Sequence, residues 1–314
     1  MVEQEVWLET TDGIRLFVRK WLPNTSVRAV INIVHGMAEH SGRYRHLGEF
    51  FCEHGIAIWC ADQRGHGKTA EDPNNDEKEG GLSGHCADRH GFRKVLHDID
   101  MVHKTIIKHH KNLPLFVLGH SWGSFLVQGY IEFYGGKISG AILSGTRGPG
   151  GVETRLGVRF LIFLTKLCGV RTRLSFVNAM ILGRCLKTFA PCRTRADWLS
   201  RDEAAVDAAL ADPLYGQLPT LGFFRDMLYA LNLIHKNRAM EKISRSLPVY
   251  VLGGDRDPVG EMGESVNVLI KKYVSLGIKD LSFVLYPGAR HECFNEINRD
   301  EVLRNLLLWL EKHL

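Results

Sequence analysis

The chain has 314 residues, of which 45% are apolar, 24% charged and 9% aromatic, and its net charge is +5. That composition is ordinary for a globular protein and excludes disorder, collagen and coiled coil. No apolar run reaches the about 18–20 residues of a membrane span, and a chain of this length can bury about three-quarters of its surface without disulfide or metal staples.

Val6–Leu8 and Ile14–Trp21 read as a hairpin around Thr11-Asp12-Gly13. Ala29–Val34 is an apolar run broken only by Asn32, which suits a strand buried on both faces. Tyr44–His54 reads as helix and Ile56–Ala61 as strand. Val95, Ile99, Val102 and Ile106 recur with helical period within Phe92–His110. Leu115–Leu118, Ser121–Tyr134 and Ile138–Leu143 follow as strand, helix and strand. The rhythm then breaks for about 75 residues. It resumes with Pro248–Leu252, Gly263–Tyr273, Leu281–Leu285 and Glu301–Leu314. Such alternation predicts an α/β fold with a mostly parallel sheet and helices on both faces. The interruption reads as a helical insertion into one domain, since no Pro/Gly/Ser linker brackets it. The expected division is a core of residues 1–147 and 221–314 with a cap of residues 148–220.

Charge is uneven. Residues 151–195 hold nine Lys/Arg against the single acid Glu153, a surplus of +8 that leaves −3 for the rest. Arg155, Arg159 and Lys166 fall within about 40° of one another on a helical wheel, beside Val158, Phe160, Leu161, Ile162, Phe163 and Leu164. Two readings stand: a cap helix that touches an anionic membrane, or a lid packed on the core with solvated arginines. No nucleic-acid-binding motif accompanies the charge, so nucleic acid is not an expected partner.

Seven cysteines without a Cys-x-x-Cys pair indicate neither a disulfide framework nor a zinc ribbon. The acidic start, Met1-Val2-Glu3-Gln4-Glu5, lacks the pattern of a secretory signal. The expected location is cytoplasmic, with peripheral membrane contact on the first of the two readings of the cap. His85, Asp88 and His90, with Cys86, lack a fourth ligand at suitable spacing, so no metal is expected. No phosphate-binding glycine loop occurs, so no cofactor is expected either.

Gly119-His120-Ser121-Trp122-Gly123 follows a strand and opens a helix, which is the context of a nucleophile elbow. Ser121 must sit in a strained turn with its hydroxyl above the sheet, and side chains at Gly119 or Gly123 would collide with neighbouring elements. A serine so placed needs an acid and then a histidine later in the chain. The downstream histidines are His235, His291 and His313. Only His291 follows a strand, through Pro287-Gly288. The acid belongs after Val249–Leu252, where Asp255 and Asp257 compete and spacing leaves both open.

Five stretches stand in order: His35-Gly36-Met37-Ala38-Glu39-His40-Ser41-Gly42-Arg43-Tyr44, Asp62-Gln63-Arg64-Gly65-His66-Gly67, Gly119 to Gly123, Gly254 to Val259, and Gly288-Ala289-Arg290-His291-Glu292. Together they resemble the α/β-hydrolase fold, and within it the monoacylglycerol lipase and bacterial lysophospholipase group. The resemblance runs from about residue 5 to 314 and is weak across the insertion. It implies Asp257 as the acid, with Ser121 and His291, and the backbone N–H groups of Met37 and Trp122 as the oxyanion hole. It implies a structural role for Arg64–Gly67 and a hydrogen-bond network around Glu39 and His40. Trp122 stands where these lipases often carry Met, so its indole is expected to narrow the acyl pocket or to wall it. The implied activity is hydrolysis of a small-molecule ester or lipid through an acyl-enzyme on Ser121. Serine peptidase or amidase activity and a non-catalytic binding role are the alternatives.

Overall fold

The computed structural model describes residues 1–76 and 78–314. Eight strands form one sheet: β1 (Val2–Glu9), β2 (Arg15–Leu22), β3 (Ala29–Val34), β4 (Ile56–Ala61), β5 (Leu115–His120), β6 (Gly140–Ser144), β7 (Val249–Gly254) and β8 (Leu281–Tyr286). The order is β1-β2-β4-β3-β5-β6-β7-β8, antiparallel at β1–β2 and β2–β4 and parallel from there on. β3, β5, β6 and β7 are buried along their whole length, as expected of strands covered on both faces.

The helices are α1 (Arg45–Glu53), α2 (Gly67–Glu71), α3 (Gly91–His109), α4 (Trp122–Tyr134), α5 (Val152–Cys168), α6 (Ser175–Lys187), α7 (Glu203–Ala211), α8 (Leu221–Ile234), α9 (Asn237–Met240), α10 (Glu264–Ser275) and α11 (Arg299–Glu311). Phe51 of α1 and Leu306 and Trp309 of α11 pack with Ile31, Ile58 and Phe116 on one face of the sheet. Val95, Leu126, Leu231 and Leu269, from α3, α4, α8 and α10, pack with Val117 and Val251 on the other.

Helix α5 places Leu161 and Leu164, and α6 places Val177, in that same second cluster. The first part of residues 148–220, expected as a cap, thus shares the core's apolar interior. Ala196, Leu199 and Val206 form a small cluster of their own. β5 and β7 each run two residues beyond the alternating apolar run, because ladder pairing continues at His120↔Ser144 and Gly254↔Tyr286. Pairing of backbone groups is indifferent to side-chain polarity.

Candidate active site

β5 is central in the sheet, and Ser121 occupies the turn between it and α4. Its backbone has φ 53° and ψ −120°, a strained conformation for a residue with a side chain. The Ser121 N–H donates to Ser144 O on the adjacent strand at 2.9 Å. A Cβ on Gly119 would lie 2.4 Å from Gly123 O, and one on Gly123 would lie 1.9 Å from Val34 O. Both glycines are therefore required by close backbone approach.

β7 ends in the acid loop and β8 in the histidine loop. Their contact is so close that a Cβ on Gly254 would fall 1.9 Å from Ala289 O. Asp257 reaches His291 Nδ1 with both carboxylate oxygens, at 2.9 and 3.0 Å. Asp255 does something else: its Oδ1 accepts the Gly288 N–H at 2.7 Å and so anchors the turn that leads to His291. The two candidates that spacing left open are thus separated by geometry. His235 bonds Gln128 and His313 bonds Asp280, both outside this site.

His291 is buried, at 1% exposure. Burial by itself lowers the pKa of its imidazole. The carboxylate of Asp257, its hydrogen bond, and the charges of Glu292 and Glu39 outweigh that and hold it above the ordinary value. With Nδ1 turned to Asp257, Nε2 has no hydrogen-bond partner among the described residues. The His120 ring lies 4.9 Å from the His291 ring. Burial, and then His291 itself, pushes His120 down to about 4, so it stays neutral.

The turn after β3 carries Gly36, Met37 and Ala38. A Cβ on Gly36 would sit 3.2 Å from Ser121 Cβ, so this turn rests directly on the elbow. Ala38 has φ 57°, and the Gly36 N–H is held by Glu39 Oε1. No acceptor for the Met37 N–H occurs among the described residues. The Trp122 N–H is in the first turn of α4 and has none within its helix. His35 Nε2 accepts from Gln63 N at 2.9 Å, which assigns the proton to Nδ1 and its donation to Gly36 O at 2.8 Å. Burial lowers His35 to about 4 and keeps that tautomer neutral.

Glu39 also accepts from Tyr44 OH and from Arg43 at 2.8 Å, and Arg43 makes two further bonds to Glu292. His40 bonds Asp212 at 2.8 Å. The network thus extends from the turn that carries Met37 to the loop that carries His291. Arg64 is buried and paired with Asp98 and Asp12, as a structural residue would be.

Trp122 departs from expectation. Its indole is 2% exposed, packs against Phe92 and Phe223, and donates Nε1–H to Gln63 Oε1 at 3.1 Å. It points into the core and does not line the cavity above Ser121. The aromatic wall comes instead from Trp198, whose ring lies 4.9 Å from that of His291. Sequence reasoning missed this residue. It also missed the backbone bonds from His291 N to Trp198 O at 3.4 Å and from Glu292 N to Leu199 O at 2.7 Å. No motif marks that segment; long-range pairing put it there.

The cavity over Ser121 has a volume of about 200 Å³. Its floor is Met37, His120, Ser121 and His291, and its walls include Leu182, Leu199, Leu210 and Leu218. The acids that border it, Glu39 and Glu292, are both held by Arg43.

His85 bonds Thr220 and Asp88, and Asp88 also takes a bidentate pair from Arg171, so this loop is tied to the segment after α5 and to the start of α8. No cluster of potential metal ligands is found among the described residues. No described helix is long and apolar enough to cross a membrane.

Helix α5 buries Val158, Leu161 and Leu164. Val152, Leu156, Phe160, Phe163 and Leu167 recur every three or four residues on its outer side, with Phe163 60% and Leu167 70% exposed. Arg155, Arg159 and Lys166 are exposed beside that stripe, with no acidic partner among the described residues.

The profile of a family described as "Serine aminopeptidase, S33" matches residues 25–298. A monoacylglycerol lipase of Mycolicibacterium smegmatis is 30% identical over 304 residues, which cover 96% of this chain and 95% of that one. A human monoglyceride lipase is 26% identical over 97% of this chain and 89% of its own length. The crystal structure of a thermostable carboxyl esterase from Bacillus coagulans, in complex with glycerol, superposes with a TM-score of 0.90 at 28% identity, covering 100% of this chain and 99% of that one. The sheet order and covering helices are those of the α/β-hydrolase fold.

Proposed function

The chain belongs to the serine aminopeptidase S33 family. From that premise we propose that it is a serine carboxylic ester hydrolase of the monoacylglycerol lipase type, with Ser121, His291 and Asp257 as its triad. The observation that carries this reading is the buried Asp257–His291 pair, 2.9 Å apart, beside a strained Ser121 in one cavity.

In this mechanism His291 Nε2 takes the Ser121 Oγ proton as Oγ bonds the ester carbonyl carbon. The Met37 and Trp122 N–H groups receive the oxyanion, each worth about 3 kcal/mol of barrier. Asp257 holds the Nδ1 proton and stabilises the imidazolium. The imidazolium then protonates the departing alcohol, leaving an acyl-serine. A water, deprotonated by His291, attacks that ester, and the carboxylic acid leaves as Oγ regains its proton.

Ester substrates fit the cavity better than peptide N-termini do. An α-ammonium group needs a free carboxylate, and both bordering acids are spent on Arg43. The apolar walls suit an acyl chain of a monoacylglycerol or lysophospholipid. The test is a p-nitrophenyl ester series against aminoacyl-nitroanilides, with fluorophosphonate labelling. Ester turnover lost in Ser121→Ala, and label on Ser121, are expected. Faster anilide turnover would favour the peptidase, and an intact protein that never takes the label would favour a binding role.

The outer face of α5 supports a second element of this reading: the cap rests on anionic lipid. The helix is apolar on two sides, and only one of them packs on protein. An exposed apolar stripe flanked by unpaired basic residues is the pattern of an interfacial helix, and each such residue contributes about 1 kcal/mol near an anionic surface. Sedimentation with phosphatidylserine-containing vesicles should exceed that with pure phosphatidylcholine and should fall with salt. If Arg155→Glu/Arg159→Glu/Lys166→Glu sediments like wild type, the cap is not the docking face.

A further inference from the structure

A second cavity, of about 380 Å³, shares no lining residue with the one over Ser121. It lies where the start of core helix α3 meets cap helix α5 and helix α8. Its volume falls within the range of about 300–1,000 Å³ typical of small-molecule sites.

Its chemistry is divided. Arg89, Arg93 and Arg225 supply three guanidinium groups, and Asp226 is the one acid among the lining residues. That acid is committed: Oδ2 accepts the Gly91 N–H at 2.7 Å and Oδ1 accepts Arg225 Nε–H at 2.8 Å. Arg225 is further held by Asp88 O at 3.1 Å. Arg89 and Arg93 have no acidic partner among the described residues. Arg93 stands in the first turn of α3, a helix of 19 residues that begins at Gly91, and Arg89 lies just before it. Cations at a helix N-terminus oppose the macrodipole, and two guanidinium groups lining one cavity repel each other. The arrangement costs stability when empty, and an oxyanion placed there would relieve it. The other side of the cavity is apolar, with Phe92, Val158, Ile162 and Tyr229.

We propose that this cavity binds an amphiphile with an oxyanion head, a carboxylate or phosphate, on a hydrocarbon chain. The head pairs with Arg89 and Arg93, and the chain lies along Phe92, Val158, Ile162 and Tyr229. Because Val158 and Ile162 belong to the cap and Arg89 and Arg93 to the core, one ligand touches both. The proposal does not rest on the role given to Ser121.

The test is photo-crosslinking with three diazirine probes of equal chain length, used below their critical micelle concentrations: a fatty carboxylate, an alkyl phosphate and the neutral alkyl alcohol. Labelled sites are mapped by mass spectrometry. Both anionic probes, or one of them, should label peptides containing residues 89–93, 158–162 or 225–229. The alcohol should label them far less. Arg89→Ala/Arg93→Ala removes two charged partners of the head and should lower that labelling about tenfold or more. Both side chains are exposed and their charges oppose the helix dipole, so a melting temperature at or above that of wild type is expected. Ile162→Trp, which fills the apolar side, should have the same effect. Carboxylate-only or phosphate-only labelling identifies the source of the head group. Equal labelling by the alcohol, labelling confined to the surroundings of Ser121, or no response to either variant would overturn the proposal. Labelling near Ser121 and fluorophosphonate reactivity report separately on the ester hydrolase, so the two readings fail independently.

Discussion

Arg43 holds both carboxylate oxygens of Glu292, each at 2.8 Å, and the residue after His291 is thereby tied to the turn that carries Met37. The same guanidinium grips Glu39, whose other oxygen holds the Gly36 N–H. All three side chains are less than 10% exposed. Burial opposes the charge of Glu292, but Arg43 more than offsets it and brings the carboxyl down to about 2. One cation therefore sets the relative position of the loop that carries His291 and the turn that carries Met37.

Arg43→Met should be strongly destabilising, because it leaves two buried carboxylates without their partner. A loss of about 3–5 kcal/mol in urea unfolding is expected. Arg43→Lys keeps the charge but loses the fork, so it should retain much of the stability and still lower kcat. If the methionine variant unfolds like wild type, the bridge is not structural.

Asp257→Asn and Asp255→Asn should differ sharply. The first removes the carboxylate bonded to His291 Nδ1, and a comparable change in a serine protease costs about 10⁴ in kcat. The second weakens the bond to the Gly288 N–H and should act mainly on the stability of the histidine loop, at about 1 kcal/mol. Steady-state kinetics with one ester, alongside melting temperatures, checks the ranking. The reverse order would move the acid to Asp255.

In the proposed mechanism His291 must be neutral to accept a proton. With His291 held above its ordinary pKa of 6.5, kcat/KM should fall as pH drops through a value higher than 6.5. Burial lowers that pKa and Asp257 raises it, so Asp257→Asn should shift the midpoint of any residual activity downward. Linkage runs the other way for folding. A raised histidine pKa stabilises the fold fully below 6.5, and that contribution is lost as pH climbs through the folded-state value. A midpoint in the wild-type profile below 6.5 would contradict this assignment.

Glu132 on α4 is 5% exposed, and its Oε2 has no partner. Burial pushes its carboxyl up to about 9, against a small lowering by Lys242. Below 4.5 both folded and unfolded chains carry the proton. Between 4.5 and about 9 the unfolded chain has released it and the folded one keeps it, so this residue makes the fold less stable as pH rises. Glu132→Gln should remove that slope, so its gain over wild type should be several kcal/mol larger at pH 8.5 than at pH 5.5. Urea unfolding at the two pH values decides it; an equal gain at both would show that the carboxyl is not protonated in the fold.

Local chemistry made much of this protein legible before any fold was known. Apolar runs marked β3, β4 and β5, since a strand covered on both faces has no polar side. The glycines around Ser121 announced a turn that only close backbone approach requires, and the 1.9 Å clearance at Gly123 shows why. The choice between Asp255 and Asp257 was beyond spacing, because two residues of loop can aim either carboxylate. Packing of the acid loop on Ala289 sends Asp257 to His291 and leaves Asp255 on Gly288. The Trp122 side chain was expected at the pocket because its backbone is there. Yet an indole on the first turn of α4 gains more by burial between Phe92 and Phe223 with its N–H on Gln63. Trp198 at His291 and the Arg89–Arg93–Arg225 cavity carry no local signature. Each joins segments separated by at least about 60 residues of chain. Contacts at that separation depend on which surfaces the completed sheet brings together, and only the tertiary structure supplies them.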